Sequence, residues 1–183
     1  MRICVDAGHG GADPGAVGLE PRRLEEKDVT LALAFLLEEE LALRGHEVIM
    51  TRRQDRTLAL EARAEFANRY EAELLVSLHC NAAADPRIEG MEVFHRPGSK
   101  PGREAAATIL THMLAAFPGH DNRGVKEADF TVLRESSAPG VLVEAEFLTN
   151  PAQLRFLTDA KNQRGLARAI AEGVPGGQAM MFG

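Results

Sequence analysis

Tryptophan is absent from this 183-residue chain, tyrosine occurs once and cysteine twice. Two cysteines do not make a disulfide scaffold. Cys4 and Cys80 both sit in strand-like apolar runs, where a thiol behaves as a small hydrophobe, so reduced thiols are expected. No apolar run reaches the roughly 20 residues that a bilayer-spanning helix needs, which argues against membrane insertion. The amino terminus also lacks the basic, apolar and small-residue succession of a signal peptide, since residue 2 already enters a strand. A basic excess is missing as well. The 21 Lys and Arg against 27 Asp and Glu leave a formal charge of -6, which argues against nucleic acid or an anionic membrane as partner. Arg52, Arg53 and Arg56 allow a local basic strip, although charge runs are usually solvated faces.

What is present is an alternation of strand and helix patterns. Strands are expected at residues 2–7, 46–51, 74–79, 90–95, 130–133 and 141–147. Helices are expected at 24–44, 57–70, 103–117 and around 166–171. The first helix carries the stripe Val29, Leu33, Leu36, Leu37 and Leu41 and stops at Gly45, a natural C-terminal break. Residues 74–79 are nearly all apolar, as befits a strand covered on both faces. The pattern calls for a single α/β domain, a mostly parallel or mixed sheet flanked by helices on both faces. No repeat or linker marks a second domain, and the Gly-rich stretch from Pro175 reads as a tail, leaving residues 1–174 as the domain.

The chemistry-bearing residues gather at one predicted edge. Val5-Asp6-Ala7-Gly8-His9-Gly10-Gly11 places a histidine where the first strand ends, and Ser77-Leu78-His79 places another at the end of the third. Glu26 heads the first helix on the face of Val29, Leu33 and Leu37, so its carboxylate must reach the sheet's rim or be buried at a cost. Two imidazoles and one carboxylate from separate elements, with one position left open, suit a catalytic Zn2+ ion. Glu144 and Glu146 alternate in phase along 141–147 and are expected to project from one face, which offers a base for the metal's water. Each residue also has a plainer use: His9 as an idle loop residue, Glu26 as a helix-dipole partner, His79 as a hydrogen-bonded core histidine, Glu144 as a partner of Arg134. Only their shared edge favours the site. His95 is the spare histidine, on a strand expected to end near the same rim; His46, His112 and His120 fall elsewhere.

Taken together, the stretches 6–11 with Asp13-Pro14-Gly15, 26–32, Thr51-Arg52, 60–63 with Ala67-Asn68, 77–82, Val132-Leu133 and 142–151 resemble the zinc-dependent N-acetylmuramoyl-L-alanine amidases of the Amidase_3 type. That family includes bacterial cell-separation amidases and phage endolysins. The resemblance implies a three-layer, phosphorylase/hydrolase-like sandwich. It implies that His9, Glu26 and His79 hold zinc and that Glu144 is catalytic. It also implies a peptidoglycan substrate, cleaved between the lactyl group of N-acetylmuramic acid and L-alanine of the stem peptide. Where the family usually has glycine this chain has Glu146, a second carboxylate placed to raise Glu144 by like-charge repulsion or to replace it as base. Some relatives carry a helix that plugs the site until a partner removes it; the stretch between 95 and 130 has no room for one, so no activator protein is expected. The implied place of action is the bacterial cell wall, in the periplasm or after phage-type release. The competing readings are a wall-binding module without catalysis and a zinc peptidase of related fold. In zinc carboxypeptidases the first histidine and the glutamate lie three positions apart, but Ala12 stands at that offset from His9.

Overall fold

The structure, a computed structural model, describes residues 1–19 and 22–176. Six strands form the main sheet: β1 (Arg2–Ala7), β4 (Glu47–Met50), β5 (Leu74–Asn81), β6 (Met91–His95), β7 (Asn122–Glu127) and β8 (Gly140–Phe147). A two-stranded ribbon pairs β2 (Val17–Gly18) with β3 (Leu24–Glu25). The sheet order is β4-β1-β5-β8-β6-β7. The first four strands are mutually parallel, β6 runs antiparallel to β8, and β7 is parallel to β6. The sheet is therefore mixed.

Helices cover both faces. Side chains of Ile3, Val5, Val76, Leu78, Val141 and Val143 meet α1 (Glu26–Ala42), α3 (Lys100–Ala116), α5 (Pro151–Thr158) and α6 (Ala160–Gly173) in the larger core. Cys4, Leu75 and Leu142 face α2 (Leu60–Arg69) and α4 (Thr131–Arg134) in the smaller one. The two cysteines thus lie on opposite faces, free and buried. Val29, Leu33, Leu37 and Leu41 of the α1 stripe are buried as their spacing requires, with Glu26 at their head, while Leu36 is only partly buried at the edge of the core. The helix ends in a Schellman-type turn: Gly45, at φ +80°, donates to Ala42 O while His46 donates to Leu41 O. Among the described residues no helix is long and apolar enough to cross a membrane.

Several expectations are corrected. Residues 130–133 form no strand; Val132 and Leu133 lie in the one-turn helix α4, pressed against Leu75 and Leu142. A four-residue apolar run has no readable period, so packing decides its state. The helix expected from residue 24 begins at Glu26, because Leu24 and Glu25 pair with the β2 strand. No basic strip forms, for Arg52 is buried and donates to Ala7 O, Gly8 O and Lys27 O, while Arg53 pairs with Glu38. His95 ends at the far rim, since the antiparallel course of β6 sets it opposite Val141. Of the expected tail only residues 175 and 176 are described.

Candidate active site

The loop after β1 is forced into shape by its surroundings. His9 adopts φ +61°, a region that costs a non-glycine residue energy and persists only where neighbours hold it. Arg63, buried on α2, is the holder: it pairs with Asp6 at 2.8 Å and donates to Ala7 O and His9 O. Asp6 is fully buried and also accepts from Thr51 and Ser77. Burial pushes its carboxyl up, but Arg63 and the two hydroxyls outweigh that and hold it below the ordinary range. Gly8 is required by space rather than by turn geometry, since a Cβ there would lie 2.4 Å from the His79 ring.

His9, Glu26 and His79 meet at the carboxyl ends of β1 and β5, with one donor atom from each and all within 4.8 Å of one another. His9 Nε2 lies 3.1 Å and His79 Nδ1 3.0 Å from the same oxygen, Glu26 Oε1. That oxygen also accepts the Cys80 N–H, and Oε2 accepts the Ala16 N–H. Burial raises the Glu26 carboxyl, but the two imidazoles overcome it and bring it down to about 2. His9 Nδ1 donates to Asp13 at 2.8 Å, and because an ionised carboxylate only accepts, the neutral ring keeps its lone pair on Nε2. Burial opposes protonation of His9, but Glu26 and Asp13 together raise it.

The donor set fits zinc. Bonds of 2.0–2.1 Å in tetrahedral array place adjacent ligand atoms about 3.3 Å apart, close to the spacings at Glu26 Oε1. The described structure holds no fourth protein donor in this group.

Glu144 stands beside the cluster, paired in register with His79 on β5 and with Glu92 on β6. Its Oε2 is buried and has no hydrogen-bond partner. Burial, then the charges of Glu26 and Glu92, raise its carboxyl well above the ordinary range. Arg134 is not its partner, being bound to Asp129 and Glu135. Glu146 does not share its face. Between His79 and Asn81 of β5 the register of β8 advances from Glu144 to Phe147, a bulge of one extra residue that reverses the side-chain phase. Glu146 consequently enters the opposite side, where His120 Nδ1 and the Gly90 and Phe147 N–H groups bind its carboxylate. The like charges raising Glu144 are Glu26 and Glu92 instead. His120, set aside in the sequence reading, is thus the partner of a fully buried carboxylate.

The bracing residues were missed from sequence. Asp6 and Ser77 are polar residues inside apolar strands, and Arg63 is a charge on the buried face of α2 with Ala64 and Ala67. Each such mismatch is the mark that betrays a buried polar network.

Fold and site define an α/β enzyme with a His–Glu–His cluster at the carboxyl rim of its parallel strands. The chain belongs to the Amidase_3 family, N-acetylmuramoyl-L-alanine amidase, which matches residues 3–175. It is 32% identical over 186 residues to the germination-specific N-acetylmuramoyl-L-alanine amidase of Bacillus subtilis, covering 94% of this chain and 77% of that protein. Among solved structures, an N-acetylmuramoyl-L-alanine amidase from Clostridium difficile 630 superposes with a TM-score of 0.91 at 33% identity, covering 94% of both chains. The amidase AmiC2 of Nostoc punctiforme gives 0.88 at 34% identity, again over 94% of both. The protein is an N-acetylmuramoyl-L-alanine amidase that acts on peptidoglycan.

Proposed function

We propose that the protein is a zinc-dependent hydrolase that breaks the amide between the lactyl group of N-acetylmuramic acid and L-alanine of the stem peptide. His9, Glu26 and His79 hold the metal and Glu144 is the catalytic base. The observation that carries this reading is the convergence of three donor atoms within 4.8 Å, flanked by a carboxylate whose Oε2 has no other partner. Zinc bound there supplies Lewis acidity toward the scissile carbonyl and the attacking water.

Glu144 accepts the water's proton and returns it to the leaving L-alanine nitrogen. Its raised affinity for a proton, caused by burial and by Glu26 and Glu92, favours holding that proton between the two steps. A cation held by Glu26 would offset one of those charges and favour the ionised form that begins the cycle. Asp13 orients His9, and Arg63 and Arg52 hold the backbone that carries it. Residues 1–174 constitute the catalytic domain, acting on the bacterial cell wall in the periplasm or after phage-type release. We take the site to be reached without an activator: between β6 and α4 the chain builds α3, packed into the larger core, and β7, which extends the sheet.

The test is digestion of purified sacculi by the zinc-loaded protein, with mass spectrometry of the products. Stem peptides bearing a free L-alanine amine, and glycan bearing a free lactyl carboxylate, are expected. Glu144→Gln should lower that release by at least about a hundredfold. Release of any other bond's termini, or a Glu144→Gln protein as active as the parent, would refute the assignment.

A further inference from the structure

The sheet face that bears His79, Asn81 and Glu144 continues onto β6 and β7, where it meets two cations. Glu92, directly opposite Glu144 in the antiparallel register, is 6% exposed in its side chain. Three donors surround it: Asn81 Nδ2 at 2.6 Å, Arg123 Nε at 3.3 Å, and Lys126 Nζ. Arg123 is committed to the framework, because it also donates to Glu89 O and lies 4.9 Å above the Phe147 ring. Lys126 is not. Glu92 is the only polar partner of its side chain among the described residues, and that side chain is 39% exposed. With Asp121, Asn122 and Arg123 it lines a hollow of about 350 Å³ that opens to solvent.

We propose that Lys126 binds a free carboxylate on the second or third residue of the stem peptide, making the enzyme selective for unamidated stems. This rests on the amidase reading above. Two interstrand spacings separate β8 from β7, about 9.6 Å, and Lys126, level with Phe94, reaches back along the sheet to put its ammonium beside Glu92. An extended peptide advances about 3.3–3.6 Å per residue, so a chain leaving the scissile bond beside Glu144 reaches the ammonium within three residues. The chemistry matches: the Glu92 carboxylate accepts one N–H of the lysine and holds it in place, and the ammonium's remaining N–H groups offer a substrate carboxylate charge-assisted bonds. Glu92 serves here as a positioning residue.

The experiment compares two soluble muramyl tripeptides, one with free carboxylates on stem residues two and three and one with both amidated. For the wild type, KM for the free form should be about tenfold lower. Lys126→Gln should raise KM for the free form about tenfold, leave kcat and the amidated substrate within about twofold, and be rescued by Lys126→Arg. Equal KM values for both substrates in the wild type would overturn the proposal. So would equal losses on both in Lys126→Gln, the result expected if the lysine acted only on Glu144 through Glu92. A wild type that releases no L-alanine-terminated peptide from either substrate would overturn the amidase reading itself, and the selectivity with it.

Discussion

At the residue scale the site is assembled by side chains that have no alternative place to be. Glu26 heads an apolar stripe and is buried, and two imidazoles and two backbone N–H groups meet its oxygens. That convergence was legible, because a carboxylate in phase with Val29 and Leu33 has to find polar partners. The need for Gly8 was not. It reads as a strand stop, yet its lack of a side chain is what admits the His79 ring. Gly8→Ala should therefore push His79 off the cluster and weaken zinc binding by about 10–100-fold, as loss of ligand orientation does elsewhere. Chelator competition measures this directly, and an unchanged zinc affinity would show that the ring has slack the distances deny.

Elements were legible where burial imposes a period. The strands β1 and β5 and the α1 stripe were readable because each buries a regular set of side chains. β7 was not, since Asn122–Glu127 is an edge strand, partly or fully exposed along its length, and carries no apolar alternation. The α5 helix had a readable start, Asn150 capping Ala152 and Gln153 with Pro151 following, but its eight residues are too few for the period to stand out. The phase of Glu146 failed for a different reason, because a bulge leaves no trace in an alternating pattern. The Asp6–Arg63 pair ties β1 to α2, and its removal bears on stability rather than on the metal. Asp6→Asn strands the Arg63 charge in the interior and should cost about 3–5 kcal/mol at neutral pH. Asp6 has a folded pKa below its unfolded value, so its contribution is complete above about pH 4 and is lost as pH falls through the folded value. Denaturant titrations at neutral and acid pH should show the wild type and Asp6→Asn converging as pH falls. A constant gap between them would mean that ionisation of Asp6 is not what stabilises the fold.

For the whole molecule, the layered α/β plan followed from the succession of patterns, whereas strand order and direction did not. Nothing local states that β6 reverses, and that reversal sends His95 to the far rim while bringing Glu92 opposite Glu144. The rim itself is the product of three parallel neighbours, β1, β5 and β8, each delivering one candidate site residue at or just beyond its carboxyl half: His9, His79 and Glu144. Ligands in open α/β sheets collect at such ends. The rim is proposed to bind one zinc ion through His9, Glu26 and His79, with Glu144 outside the coordination set. Zinc content of the purified, metal-loaded chain is the most direct measure. One zinc per chain is predicted for both the wild type and Glu144→Gln, and little or none for His79→Ala. Full zinc in His79→Ala, or its loss in Glu144→Gln, would contradict the assignment.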